Sequence, residues 1–157
     1  MKIIYILLGV IVIGAFSLLY QRYRRKKALL VVQAASKKIT DEALAYCLQE
    51  LGMDFSDVPN SHVISDVWGK GVMAFEYQIK VKDLNRNSLK SLEMAINDKL
   101  SYFAQQKELV GYLEKGPIFV VSDIWLQEDI LHIDISHLVN QATVSYLKDM
   151  RTLEKNN

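Results

Sequence analysis

Two histidines and an aspartate near the end of the chain are residue types that bind metals or transfer protons. His132 and Asp134 stand two positions apart in the segment ILHIDIS, and His137 follows. On a β-strand, residues two positions apart share a face, so His132 and Asp134 are expected on the same side of a sheet. A zinc site needs three or four ligands with supporting hydrogen bonds, and no cysteine or further histidine clusters here. The sequence therefore favours a solvent-facing pair over a metal site.

Asp123 and Asp134 could face each other across a hairpin, where paired carboxylates can do acid–base chemistry. Nothing in the sequence makes the two converge on a pocket, so exposed sheet residues are the simpler interpretation. Gly69-Lys70-Gly71 lacks the pattern of a phosphate-binding loop and opens no helix. The chain contains no nucleophile elbow, dinucleotide fingerprint or HExxH motif. We therefore predict no catalytic residue, no cofactor and a protein that is not an enzyme.

Two tryptophans fall in two predicted hairpins of one sheet. Trp68 and Trp125 are most simply core residues, because large aromatic side chains bury extensive area. The alternative is an aromatic surface that binds a partner. Together with His132 and Asp134, the tryptophans form the candidate partner surface.

The only cysteine indicates the redox environment. Cys47 lies between Tyr46 and Leu48 in an apolar helical pattern and has no second cysteine to pair with. A reducing compartment and a small core residue are the plain interpretation.

Residues 1–21 are predicted to form a transmembrane anchor. Eighteen residues from Ile3 to Tyr20 carry no charge, and as a helix they would span about 27 Å, close to the thickness of a bilayer. A cleavable signal has a shorter apolar stretch and ends in small residues, whereas this run ends in Leu18, Leu19 and Tyr20.

Five cationic residues follow the run, and we assign them to the membrane surface: Arg22, Arg24, Arg25, Lys26 and Lys27. The positive-inside rule then predicts a single-pass protein of the cell membrane, with its N-terminus outside and its C-terminal domain cytoplasmic. Membrane lipids would be partners of this cluster. The 130 residues after it hold 13 of the 19 basic residues and all 18 acidic ones, a net charge of −5. That charge argues against direct nucleic-acid binding.

The rest of the chain is predicted to be a basic collar and stalk, residues 22–40, and one domain, residues 41–157. Only two prolines and no internal repeat interrupt it, which is typical of a single domain. Thr40 or Asp41 is expected to cap a new helix that ends at Gly52.

Two hairpins and two helices complete the predicted domain. Phe75, Tyr77 and Ile79 alternate with polar residues, so HVISDVW and VMAFEYQIKVK form one hairpin around Gly69-Lys70-Gly71. An amphipathic helix follows from Asn87 or Ser88, IFVVSDIWL and ILHIDIS form the second hairpin, and a helix ends the chain. The order α–ββ–α–ββ–α predicts an α+β fold whose antiparallel four-stranded sheet has helices on one face. The other face would be partly polar and open to a partner.

This order of elements resembles the α subdomain that precedes the motor in FtsK/SpoIIIE-type DNA translocases and conjugative coupling proteins. Leu51-Gly52, the strand Phe75–Val81 and Ile133-Asp134-Ile135 carry the resemblance, which would cover residues 41–137. The motor is absent, and Gly116-Pro117 stands before the second hairpin rather than the first strand. The resemblance implies assembly into rings or against a motor. It transfers no ATP site and no DNA-contacting residue.

These features predict a membrane-tethered cytoplasmic interaction module, an accessory subunit of a bacterial secretion, conjugation or division complex. Its partners would be proteins of that complex, with homo-oligomerisation left open. Two alternatives remain: an exported scaffold domain of a secretion channel, and a membrane-anchored enzyme with an unrecognised site on the polar sheet face.

Overall fold

The computed structural model describes the backbone of residues 2–53, 61–64, 71–82 and 84–155. Within those ranges it describes side chains from Ile13 to Leu153. The chain divides into two compact units, Met1–Ala34 and Ala35–Asn157. The sheet and most of the buried side chains belong to the second unit.

The predicted membrane anchor is corrected by the structure. In the part of the chain that the structure describes, no helix combines the length and the apolar character that crossing a membrane requires. The side chains of residues 1–12, which hold the start of the predicted span, lie outside that part. The prediction of a single-pass membrane protein with a cytoplasmic domain is corrected with it.

The predicted order of elements is confirmed. Helix α1 spans Lys2–Glu50, strand β1 His62–Val63 and strand β2 Ala74–Lys80. A short 3-10 helix, Arg86–Ser88, leads into helix α2, Leu89–Gln106. Strand β3 spans Phe119–Gln127, strand β4 Ile130–His137 and helix α3 Gln141–Lys155.

The four strands form one antiparallel sheet in the order β1-β2-β4-β3, which confirms the predicted sheet. Strand β4 therefore lies in the interior of the sheet and pairs with both β2 and β3. Each β-hairpin contributes one edge strand and one central strand. Trp68 and Gly69-Lys70, which belong to the predicted first hairpin, lie outside the described residues.

One face of the sheet is apolar and packs against α1 and α2. Strand β2 contributes Phe75 and Tyr77 and strand β4 contributes Ile133 and Ile135, all fully buried. Strand alternation puts these residues on one side, as the sequence predicts. The covering side chains from the helices are also buried: Leu44, Cys47 and Leu48 on α1, and Ile96, Leu100 and Phe103 on α2.

Helix α3 lies on the opposite face, so the prediction that all helices share one face is wrong. Tyr146 packs with Ala74 in one apolar cluster, and Leu147 packs with Val120 in another. Ala74 and Val120 both pair with Ser136 and point away from the α1 side. The last helix needs its own apolar surface, and the end of the sheet nearest its connection to β4 supplies it.

Helix α1 runs without a break through the predicted cap at Thr40 and Asp41. Thr40 is fully buried, and its hydroxyl donates to the carbonyl of Ser36 one turn earlier. Ser36 and Thr40 lie on the buried stripe of the helix that continues as Leu44 and Leu48. Burial of this stripe therefore overrides the preference of Thr40 for a helix end. The predicted end at Gly52 is confirmed. Gly52 has φ of +64°, and Met53 N–H donates to Leu48 C=O, as in a glycine-terminated helix.

A pair of substitutions on β2 tests the alternation. Ile79 is 4% exposed, whereas the side chain of Lys80 is 79% exposed. Ile79→Asn puts an unsatisfied amide in the core and should lower the free energy of unfolding by roughly 3 kcal/mol or more. Lys80→Asn removes only an exposed ion pair with Asp129 and should change it by less than about 0.5 kcal/mol. Urea unfolding followed by tryptophan fluorescence measures both, and equal losses would contradict the register.

Candidate functional site

The polar face of the sheet is ordered into transverse rows by the strand register. The row nearest α3 contains Ala74, Ser136 and Val120. The next, here called the titratable row, runs across all four strands and contains His62, Glu76, Asp134 and Asp123. The third, the ring row, contains Gln78, His132 and Trp125. The register thus brings together three of the four predicted partner-surface residues, Trp125, His132 and Asp134. The fourth, Trp68, lies outside the described residues.

A β-bulge in β3 places Asp123 in the titratable row. The register shifts between Val121, which pairs with Ile135, and Asp123, which pairs with Asp134. Ser122 is the extra residue, and its hydroxyl donates to the carbonyl of Asp134. In a regular strand Val121 and Asp123 would share a face, so the bulge sends one into the core and the other to the polar side. Sequence alternation alone gave no signal for this shift.

Asp134 is the most unusual member of the titratable row. It is 8% exposed, as is His132, so the predicted solvent-facing pair is wrong. The Oδ1 of Asp134 is buried without a hydrogen-bond partner among the described residues. Burial, followed by the nearby charges of Glu76 and Asp123, raises the pKa of Asp134 from 3.8 to about 7. A buried carboxylate without a cation is costly to ionise, so this position holds either a proton or an unbalanced charge.

Glu76 has the opposite environment. Its Oε1 lies 2.9 Å from His132 Nδ1 and accepts a second hydrogen bond from the Gln78 side-chain amide at 3.1 Å. These bonds hold the pKa of Glu76 below its usual value, with His132 the largest cause and partial burial opposing. The imidazole in turn stacks on Trp125, with ring centroids 4.6 Å apart and planes 14° apart. Glu76 therefore has hydrogen-bond partners in the ring row, whereas Oδ1 of Asp134 has none among the described residues.

His137 does not belong to this site. Strand alternation puts it on the apolar face, where its Nδ1 lies 2.8 Å from Ser36 Oγ and its ring stacks on Phe119. Burial lowers the pKa of His137 to about 4, so it is neutral near pH 7. His132, Asp134 and His137 therefore cannot converge on one ion. Across the described ranges, no group of three or more His, Cys, Asp or Glu side chains could hold a metal.

A second polar cluster lies under the other face and was not predicted. Asp41 Oδ1 accepts hydrogen bonds from Tyr77 Oη at 2.8 Å and from Ser61 Oγ at 2.7 Å, and Asp41 Oδ2 pairs with Lys37. Burial is the main reason that the pKa of Tyr77 is raised. All its hydrogen-bonding groups have partners, so this cluster serves to attach β2 to α1.

Two further features, a cysteine and a cleft, offer little chemical reactivity. Cys47 is buried, and burial raises the pKa of its thiol to about 12, which keeps it protonated and unreactive. An open cleft of about 670 Å³ lies on the outer side of α1 and α2. Its lining consists of Tyr46, Glu50, Asp98, Lys99, Tyr102 and Gln106. The Lys99 ammonium there is paired with Glu50 at 3.1 Å.

The five basic residues predicted at the membrane surface are all exposed on α1. Their assignment to a lipid surface stays a prediction from the sequence.

Comparison of the chain with protein-family models, with curated protein sequences and with solved structures finds no match. The resemblance to the translocase α subdomain therefore remains a prediction from the sequence.

The raised pKa of Asp134 predicts a pH-dependent stability. Between about pH 4 and 7 the folded protein keeps a proton that the unfolded chain releases, so the contribution of Asp134 is full below pH 4 and is lost as the pH rises to 7. Asp134→Asn removes the charge and should raise the free energy of unfolding at pH 8 by roughly 2–4 kcal/mol.

The matched control for this substitution is Asp129→Asn, since the Asp129 side chain is 57% exposed in a turn. Urea titrations at pH 4 and pH 8 should show the gain of Asp134→Asn only at the higher pH and little change for the control. A gain that is independent of pH would contradict the assignment.

Proposed function

We propose that residues 35–157 form an interaction module that binds a protein partner through the titratable row and the ring row, and that the chain is not an enzyme. The predicted role as an accessory subunit of a secretion, conjugation or division complex depended on the membrane anchor and does not form part of this proposal. The resemblance to an assembly subdomain agrees with an interaction role, but it contributes no residue to it.

The observation that carries the proposal is the incomplete cover of the polar face. Helix α3 packs over the row of Ala74, Ser136 and Val120, and the opposite face is covered by α1 and α2. In the next two rows Gln78 is exposed and Trp125 and Glu76 are half-buried, while His132 and Asp134 on the central strand are buried. An aromatic ring beside unbalanced polar groups is typical of a protein-binding surface.

The shape of this surface is less suited to catalysis. Small-molecule sites are concave and enclose most of their ligand, whereas these rows lie across the surface of a sheet. The cleft on α1 and α2 is concave, but Lys99 and Glu50 in its lining form an ion pair with each other. It contains no cysteine, serine or histidine that could act as a nucleophile or base.

Acid–base catalysis is the second candidate, and one observation favours it. The environments of Glu76 and Asp134 move the pKa values of two neighbouring carboxyl groups in opposite directions. Such divergence separates a proton donor from an ionised partner in many hydrolases. The absence of an enclosing pocket around the described part of the row places this candidate second.

Site-specific photo-crosslinking in the native host tests the proposal. A photoreactive phenylalanine analogue at Gln78, in the ring row, should form a defined adduct with a partner protein. The same analogue at Met94, which is 55% exposed on α2, is the control and should form none.

The crosslink at Gln78 should disappear when Trp125→Ala is added, because the partner loses its aromatic contact. Adducts at both positions, or at neither, would contradict a docking surface on the polar face. Purified protein with Trp125→Ala must keep its wild-type circular dichroism spectrum for the comparison to count.

A further inference from the structure

We propose that the partner of this surface is a second copy of the chain, whose basic segment, residues 22–27, docks on the titratable row. This inference rests on the proposed function and names its partner. The contact would join two different surfaces, the basic segment of one copy and the polar sheet face of another.

The acidic side of the contact is the titratable row. Glu76, Asp134 and Asp123 come from three adjacent strands and point to the same side. Lysine and arginine ion pairs in the described ranges involve Asp41, Asp129, Glu93 and Glu50 instead. The row therefore has a histidine beside Glu76 but no lysine or arginine of its own.

Asp134 supplies a second, independent observation that points to a ligand. More than nine-tenths of this residue is buried, and its Oδ1 meets no donor in the described structure. Buried carboxylates are normally paired or hydrogen-bonded. A cation placed beside Glu76 and Asp134 would balance the charge of the row without entering the core, since attraction acts over several ångströms where the dielectric is low.

The basic side of the contact is present in the same chain. Arg22, Arg24, Arg25, Lys26 and Lys27 are exposed and take part in none of the ion pairs found among the described residues. The 130 residues that follow have a net charge of −5, so a second copy presents the opposite charge to this segment. Both halves of a complementary pair are thus defined without any external protein.

The ring row favours arginine as the anchor. Trp125 and His132 stack as two nearly parallel rings next to the carboxylates, and Trp125 is half-buried. A guanidinium group can stack on an indole while it pairs with a carboxylate, whereas an ammonium group is a compact charge. Three of the five cationic residues in the segment are arginines.

A contact between unlike surfaces leaves a free surface of each kind at the ends of a pair. Such contacts either close into rings or extend into filaments. They also allow a decisive experiment, because each half can be disabled in a different copy.

The test uses full-length copies that carry two different affinity tags, and it measures how much of one copy co-purifies with the other. The face variant contains Glu76→Gln and Asp134→Asn and keeps its basic segment. The segment variant contains Arg22→Gln, Arg24→Gln and Arg25→Gln and keeps its polar face. Wild-type copies should associate, and each variant paired with itself should lose co-purification by about tenfold.

Mixing the two variants should restore association to near the wild-type level, because the segment of the face variant still meets the face of the segment variant. A control with Asp98→Asn and Asp149→Asn changes the net charge as the face variant does, but at two exposed helix positions, and should associate like wild type. Added salt should weaken the wild-type contact, since its charges are near the surface.

Three results would overturn the inference: wild-type copies that do not associate, a mixture that does not recover, or a control that loses as much as the face variant. Circular dichroism confirms that each variant is folded. The Gln78 crosslink separates this inference from the proposed function. An adduct with a different protein leaves the interaction module standing and removes only the second copy as its partner.

Discussion

The position of β4 between β2 and β3 is the constraint on which the rest of the domain depends. Ile133 and Ile135 point into the core from this strand, while His132 and Asp134 point to the polar face. A slip of one residue in its register would exchange these two sets, because side chains alternate along a strand. The same pairing therefore fixes the core and the row of titratable groups, and neither can be changed without the other.

The bulge at Ser122 adapts β3 to that constraint. Before the bulge, Phe119 and Val121 complete the apolar face against α2, where Phe119 lies 6.4 Å from Phe103 between ring centroids. After it, Asp123 and Trp125 join the polar face beside Asp134 and His132. One inserted residue thus allows a single edge strand to serve two surfaces that regular alternation would have kept apart. Next to the bulge, the Ser136 hydroxyl donates a hydrogen bond to the Ser122 hydroxyl.

Sequence patterns identified the features that depend on neighbours along the chain. Apolar and polar residues alternate clearly from Phe75 to Ile79 and from Leu131 to Ile135, and α2 has a regular apolar stripe that ends at Phe103. These patterns predicted both the type of each element and the side that it buries. The bulge, the order of the strands and the placement of α3 depend on contacts between distant segments and left no local signal. Thr40 and Asp41 misled the interpretation because both are good helix caps. Here they continue α1, since Thr40 is buried and Asp41 bonds to Tyr77 across the core. The anchor was inferred from the length of an uncharged run and from its bulky end, and no helix within the described ranges meets its requirements.

The carboxylates of the polar face show why a buried row can remain incomplete in an isolated chain. His132 offers Nδ1 to Glu76 and its ring face to Trp125, and neither of these contacts involves Asp134. A proton can neutralise Asp134, but the hydrogen-bonding capacity of its buried oxygen remains unused. Replacing Asp134 by a neutral residue would remove the cost of its buried charge to the stability of the domain. An external cation would also remove that cost, and it would add a contact. A residue can destabilise the free domain and lose that unfavourable energy only in a complex. The free energy of binding then gains the whole of it, because the free state alone bears the cost. The proposed partner, which supplies positive charge, would account both for the cost of burying Asp134 and for the exposed groups in the rows around it.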